Sequence, residues 1–122
     1  MRPETAAYIW DAKQAAEAVN AFVEGKVQSE FVEDLLLRSA VERQLEILGE
    51  ALGRLRASDP NTAARVRDID RIIAMRNVIA HEYGDIDYEI LWVAVNHRIP
   101  EVLATLGALL QEAGPAPETR ET

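Results

Sequence analysis

The constraint that most limits this chain is a single long stripe. Leu37, Val41, Leu45, Leu48, Leu52 and Leu55 recur at helical spacing, and Leu36, Ala40, Ile47 and Ala51 widen the apolar arc to about half the circumference. One neighbouring helix cannot cover an arc of that width, so this helix must touch two or more others. The rest of the chain supplies them. From Glu4 to Glu24, Tyr8, Ala12, Ala15, Val19, Phe22 and Val23 share a face, with Lys13, Glu17 and Glu24 opposite. Beyond Asp87, Tyr88, Leu91, Trp92, Val95, Ile99, Val102, Leu106, Leu109 and Leu110 form a third stripe. No useful run alternates with the period of a strand, and there is neither an internal repeat nor a glycine-rich phosphate loop. The pattern predicts an all-α antiparallel bundle of four to five helices.

Local signals set the expected boundaries. Gly25 ends the first helix and Ser29 caps the second, which reaches Arg56. Ser58-Asp59-Pro60 reads as a stop and a restart, with Asp59 as N-cap and Pro60 in the first turn. Asp68 or Asp70 opens the next helix, which frays near Tyr83 because Gly84 follows. Asp85 or Asp87 caps the last helix, and Pro100 should kink it. One domain is expected over 1–113, followed by a disordered tail over 114–122 that is rich in Pro, Glu and Thr.

Within the helix before Gly84, Ile69, Ile72, Ile79, Ala80 and Tyr83 gather on one side, and Arg76 falls near the middle of them. A guanidinium does not shed its charge, and a buried ion without a partner costs several kcal/mol, on the order attached to broken buried pairs. Either a carboxylate such as Glu46, Glu50 or Asp87 neutralises it, or an anionic ligand does. Asn77 and His81 form an i,i+4 pair on an adjoining face, and an imidazole that titrates near neutrality can move a proton.

Arg76-Asn77, three residues, His81, one residue and Tyr83 spell R-N-x-x-x-H-x-Y, which resembles the HEPN superfamily of small helical RNases. More narrowly the chain is similar to the HepT-type toxins, whose R-x-x-x-x-H-x-Y motif precedes an acidic segment and a hydrophobic C-terminal helix. Here Asp85-Ile86-Asp87 and Leu91-Trp92 continue the motif in that way. The likeness extends to Phe31-Val32-Glu33-Asp34, Ala40-Val41-Glu42-Arg43, Ile47-Leu48-Gly49-Glu50-Ala51 and Ile99-Pro100-Glu101, covering the chain to about Gln111. Glu82 departs from the glycine often found between the motif His and Tyr, and adds negative charge there.

The resemblance implies a homodimer in which two motif helices face one cleft. It implies a metal-independent endoribonuclease with Arg76 and His81 catalytic, Asn77 supporting and no cofactor. It also implies that Tyr83 is the residue that a cognate MntA-type nucleotidyltransferase antitoxin modifies with AMP, as in a type VII toxin–antitoxin pair. Glu50 is a candidate to back up Arg76. The competing reading is a non-catalytic helical module that holds a nucleotide phosphate or a partner alongside a nucleotidyltransferase; a purely structural dimerisation bundle is the third. His97 falls opposite the last apolar stripe and is expected to face solvent, and Trp10 lies off the first stripe; neither receives a role.

Composition narrows the setting. Thirteen basic against twenty-one acidic residues give a net charge of −8, which opposes coating by a phosphate backbone and requires any RNA contact to be local. Cysteine is absent, so disulfides and thiolate metal sites are excluded, and no pair of Glu-x-x-His motifs offers a di-metal centre. No apolar run approaches the roughly 20 residues of a membrane span. A cytoplasmic protein is expected, with RNA and the antitoxin as partners.

Overall fold

In a computed structural model the described residues are 1–80 and 87–114, with side chains for all of these except 76–80. They form four long helices and two short ones: α1 (Pro3–Val23), α2 (Gln28–Glu33), α3 (Leu35–Ser58), α4 (Pro60–Ala63), α5 (Ile69–Ala80) and α6 (Tyr88–Ala113). No strand occurs among them. The all-α bundle expected from the apolar stripes is therefore the observed fold. No described helix is long and apolar enough to cross a membrane.

Specific contacts fix the helix directions. The buried Thr5 hydroxyl, in the first turn of α1, donates to Asp59 at 3.1 Å, so α1 starts where α3 ends. Arg56, near the end of α3, pairs with Asp70 at the start of α5. The Tyr88 hydroxyl, at the start of α6, donates to Glu42 in the first half of α3 at 2.7 Å, while Glu112, at the far end of α6, pairs with Arg65 beyond α4. The long helices therefore run alternately up and down. α3 packs between α1 and α5, and α6 closes the bundle against α1.

The stripes read from the sequence are the core. Val41, Leu45, Leu48, Leu52 and Leu55 of α3 are buried, as are Ala12, Ala15, Val19 and Val23 of α1 and Leu91, Val95, Ile99, Val102, Leu106 and Leu109 of α6. Leu36 is a correction: it is 80 % exposed and Leu35 nearly as open. Full burial on α3 begins at Val41, nearly two turns in; Leu37 is partly buried against the core, and Leu35 and Leu36 stand outside the arc that neighbouring helices cover.

The expected second helix is in fact two. Asp34 adopts an extended conformation, φ −103° and ψ 101°, and its carboxylate accepts the Leu37 amide at 3.1 Å, which starts a new helix instead of continuing the old one. Short acidic side chains favour such local bonds over helix-interior positions. α2 begins after Val27, whose amide donates to Glu30 at 2.9 Å, so Ser29 lies inside the helix and does not cap it.

Other boundaries follow the expected chemistry. Gly25 takes φ +76° just past α1, the left-handed conformation that glycine adopts without a Cβ penalty. Asp59 accepts the Thr62 amide at 3.1 Å and the Thr62 hydroxyl at 2.8 Å, with Pro60 in the first turn. The Asp68 carbonyl receives the amides of Arg71 and Ile72, both at 3.0 Å, and so opens α5. Asp87 accepts the amides of Glu89 and Ile90, both at 3.1 Å, and caps α6. α6 runs through Pro100 as one helix. The caps at Gly84 and Asp85 and the tail from Pro115 lie outside the described residues.

Candidate active site

α5 carries the first half of the motif. Its residues Ile72, Ile73 and Met75 are buried, and in the helical register Arg76 stands between Ile72 and Ile73 on that inward face. Asp70 is fixed beside Arg56. With a rise of about 1.5 Å per residue, Arg76 lies about 9 Å and Ala80 about 15 Å along α5 from that pair. Because α5 is antiparallel to α3, Arg76 is level with about Glu50, and Ala80 with about Glu46. Asn77 stands next to Arg76 on the α5 backbone. His81 and Tyr83 lie outside the described residues, as do the side chains of Arg76 and Asn77, so the pairing of Asn77 with His81 is not decided by this geometry.

The three carboxylates named from the sequence as possible partners of Arg76 make other contacts. Glu46 pairs with Arg43 at 3.3 Å and Glu50 with Arg54 at 3.2 Å, while Asp87 is taken up by the α6 amides. Glu50 is exposed. It lines a groove between α1 and α3, with Tyr8, Asp11, Gln44 and Ile47 among the walls. Around the α3 axis it is about 120° from Arg56, the residue that meets α5.

The chain re-emerges from the motif at Tyr88, into a tight polar and aromatic cluster. The Tyr88 ring stands edge-on to Phe31, with centroids 6.2 Å apart, and Phe31 lies 5.3 Å from Trp92. Phe31 is fully buried. The Arg38 guanidinium carbon sits 4.5 Å from the centre of the Tyr88 ring, within cation–π range. One Arg38 nitrogen, Nη1, donates to the Val32 carbonyl at 2.6 Å, which satisfies an orphan acceptor at the end of α2. The Arg38 Nε is buried and makes no hydrogen bond.

Sequence reasoning passed over Arg38. Glu42 follows it four residues later, the spacing of an ordinary helical ion pair. Instead the Glu42 carboxylate receives the Tyr88 hydroxyl, and no ion pair joins it to Arg38 among the described residues. The signal that could have found Arg38 is its register: about five full turns separate it from Arg56, so both project from the same face of α3.

Titration is perturbed elsewhere in the molecule, at structural joints. The Thr62 hydroxyl and amide hold the Asp59 carboxyl below the usual carboxylate range. The bond from Arg65 does the same to Glu112 and raises Arg65 in return. His97 is exposed, as expected, in a shallow apolar groove with Ile90 and Val93. Trp10 is partly exposed. Among the described residues no three His, Asp or Glu side chains converge in a way that could hold a metal ion.

A family model described as "Ribonuclease HepT-like" matches residues 12–109, from the second half of α1 to the end of the α6 stripe. The chain belongs to the HepT-like family. A protein of Methanocaldococcus jannaschii that bears the name putative RNase is 31% identical to this HepT-like chain over 100 residues, covering 79% of this chain and 87% of the relative. One of Caldanaerobacter subterraneus subsp. tengcongensis with the same description is 31% identical over 105 residues, covering 86% and 93%. A protein of Thermococcus cleftensis named probable ribonuclease HepT is 31% identical over 101 residues, covering 78% and 86%. No solved structure matches this HepT-like chain.

Proposed function

We propose that this chain is a metal-independent endoribonuclease toxin of a type VII toxin–antitoxin pair, acting as a homodimer with Arg76 and His81 as its catalytic residues. The observation that carries the reading is the family match over residues 12–109, which spans R-N-x-x-x-H-x-Y whole. The names of the three relatives, two of them putative RNase and one probable ribonuclease HepT, agree with it.

In this reading the RNA 2′-oxygen attacks the adjacent phosphorus, the bond to the 5′-oxygen breaks, and the products are a 2′,3′-cyclic phosphate and a free 5′-hydroxyl. An imidazole takes the 2′-hydroxyl proton, and the imidazole of the second copy supplies one to the departing 5′-oxygen. Such proton transfer contributes about 10²–10⁴-fold. Arg76 offers paired N–H donors to the phosphorane oxygens, with charge that grows in the transition state. Asn77 orients His81 from one turn away. These residue types suffice without a metal ion.

Tyr83 is the control point. A cognate nucleotidyltransferase antitoxin joins the phenol oxygen to the α-phosphorus of ATP, and pyrophosphate leaves. The added nucleotide brings a phosphate that competes for Arg76 and blocks the RNA path.

The test is incubation of purified chain, made without the antitoxin, with total RNA in EDTA. Tyr83 is first checked by mass spectrometry to be unmodified. Cleavage that survives chelation, leaves cyclic phosphate ends and falls by at least about 10²-fold in His81→Ala and Arg76→Ala is the expected result. Intact RNA with unmodified wild-type protein would replace this reading with a non-catalytic module that works beside a nucleotidyltransferase.

A further inference from the structure

We propose that Arg38 is an RNA-binding residue, a second phosphate contact that seats the strand on the site beside the scissile bond. The proposal rests on the ribonuclease reading above and adds a residue outside the motif to it.

Charge is the first argument. RNA must find unneutralised cations on a chain of net charge −8. Of the lysines and arginines whose side chains are described, only Lys26, Arg38 and Arg71 lack a carboxylate within ion-pair distance. Lys26 and Arg71 are exposed, free to stay hydrated. Arg38 is half-buried and held from two sides, by the Val32 carbonyl and by the Tyr88 ring. A cation fixed in place before binding loses little entropy when a ligand arrives. Its Nε is buried and its Nη1 is taken by the Val32 carbonyl, but Nη2 makes no hydrogen bond among the described residues and remains to donate to a phosphate oxygen.

Position is the second argument. Arg38 and Arg56 share one face of α3, and α5 starts at the Arg56 end of that face. Leu45 and Leu52, on the same side of α3, are buried. α5 ends at Ala80, level with about Glu46, and Arg38 stands about 12 Å farther along α3, in the direction α5 points. His81 follows Ala80 directly in sequence. A short run of single-stranded RNA spans that distance, so one strand can place a phosphate at Arg38 and the next ones at the motif. Glu42, one turn from Arg38, does not claim it, because its carboxylate receives the Tyr88 hydroxyl.

A purely structural Arg38, strapping α2 to α3, is the alternative. Binding of a fluorescein-labelled single-stranded RNA oligonucleotide to the full chain separates the two. His81→Ala is used as background so that the probe is not cut, and unlabelled wild-type cleavage is run beside it. Over about 50–200 mM salt, removing one phosphate contact to a single strand lowers the slope of log affinity against log salt by about 0.7. Arg38→Gln is expected to show that smaller slope and about tenfold weaker binding at the low-salt end, while Arg38→Lys keeps the slope.

RNA is also expected to protect Arg38 from phenylglyoxal in the unsubstituted protein, read by peptide mass spectrometry, which needs no variant to fold. An unchanged slope in a folded Arg38→Gln protein, or equal modification of Arg38 with and without RNA, overturns the proposal and leaves the ribonuclease reading intact. Absence of any RNA binding or cleavage by the wild type overturns both.

Discussion

Phe31→Ala tests how the short helix α2 is held. Phe31 is the one buried residue of α2, and six residues are too few to stay helical unaided. Its ring is wholly buried and contacts Trp92 and Tyr88 at 5.3 and 6.2 Å. Truncating a buried phenylalanine costs about 3–5 kcal/mol, made up of lost transfer energy, lost ring contacts and the cavity left behind. Here the lower half of that range is expected, about 3 kcal/mol, because α2 can leave the bundle instead of bridging a void.

Urea unfolding at about 25 °C reads this, since with a slope of about 1.5–2 kcal/mol/M the midpoint should fall by about 1.5–2 M. Trp92 loses its packed neighbour, so its emission should shift to the red. Native-state hydrogen exchange should show the amides of α2 opening well below the global free energy while those of α1 and α3 open only with it. A midpoint shift below about 0.5 M, with unchanged Trp92 emission, would refute the argument that one ring docks this helix.

Two further outcomes follow from local geometry. Gly25→Ala should cost about 1 kcal/mol through the backbone alone, because φ is +76° and an added Cβ meets nothing within 4 Å; a urea midpoint equal to wild type would show that the turn relaxes freely. Asp59 has a depressed folded pKa, so its stabilisation is complete above the unfolded carboxylate value and is lost as pH falls through the folded one. Asp59→Asn should therefore flatten the acid limb of the melting temperature against pH, and an acid limb as steep as that of wild type would count against the Thr62 bonds as the cause.

The long helices were legible because each apolar stripe repeats over many turns, and their burial matches the reading at Val19, Leu48, Leu52 and Leu106. Asp59 and Asp87 were legible as helix starts because a short acidic side chain before a helical stripe caps the first amides, whereas Asp68 opens α5 with its carbonyl and its carboxylate pairs with Arg98. The break at Asp34 was not, since Leu35, Leu36 and Leu37 carry the apolar pattern straight through it and only the local bond to Leu37 shows the restart. The same run placed Leu36 in the core arc, where periodicity alone cannot tell how far along a helix its neighbours reach.

At the site, spacing placed Ile72 on the inward face of α5, and Ile72, Ile73 and Met75 are buried. Glu50, a candidate to back up Arg76, pairs with Arg54 and lines the groove between α1 and α3. Arg38 escaped notice because its relation to Tyr88 spans 50 residues and two helices, a separation that no local pattern records.

The packing of α6 against α1 has a consequence for how the chain is made. A bundle whose last helix seals its first cannot close while that helix is still inside the ribosome. Until α6 arrives, the side of α1 that it meets lacks that neighbour and α1 is packed on α3 alone, so this seam of the bundle is the last of the described contacts to form.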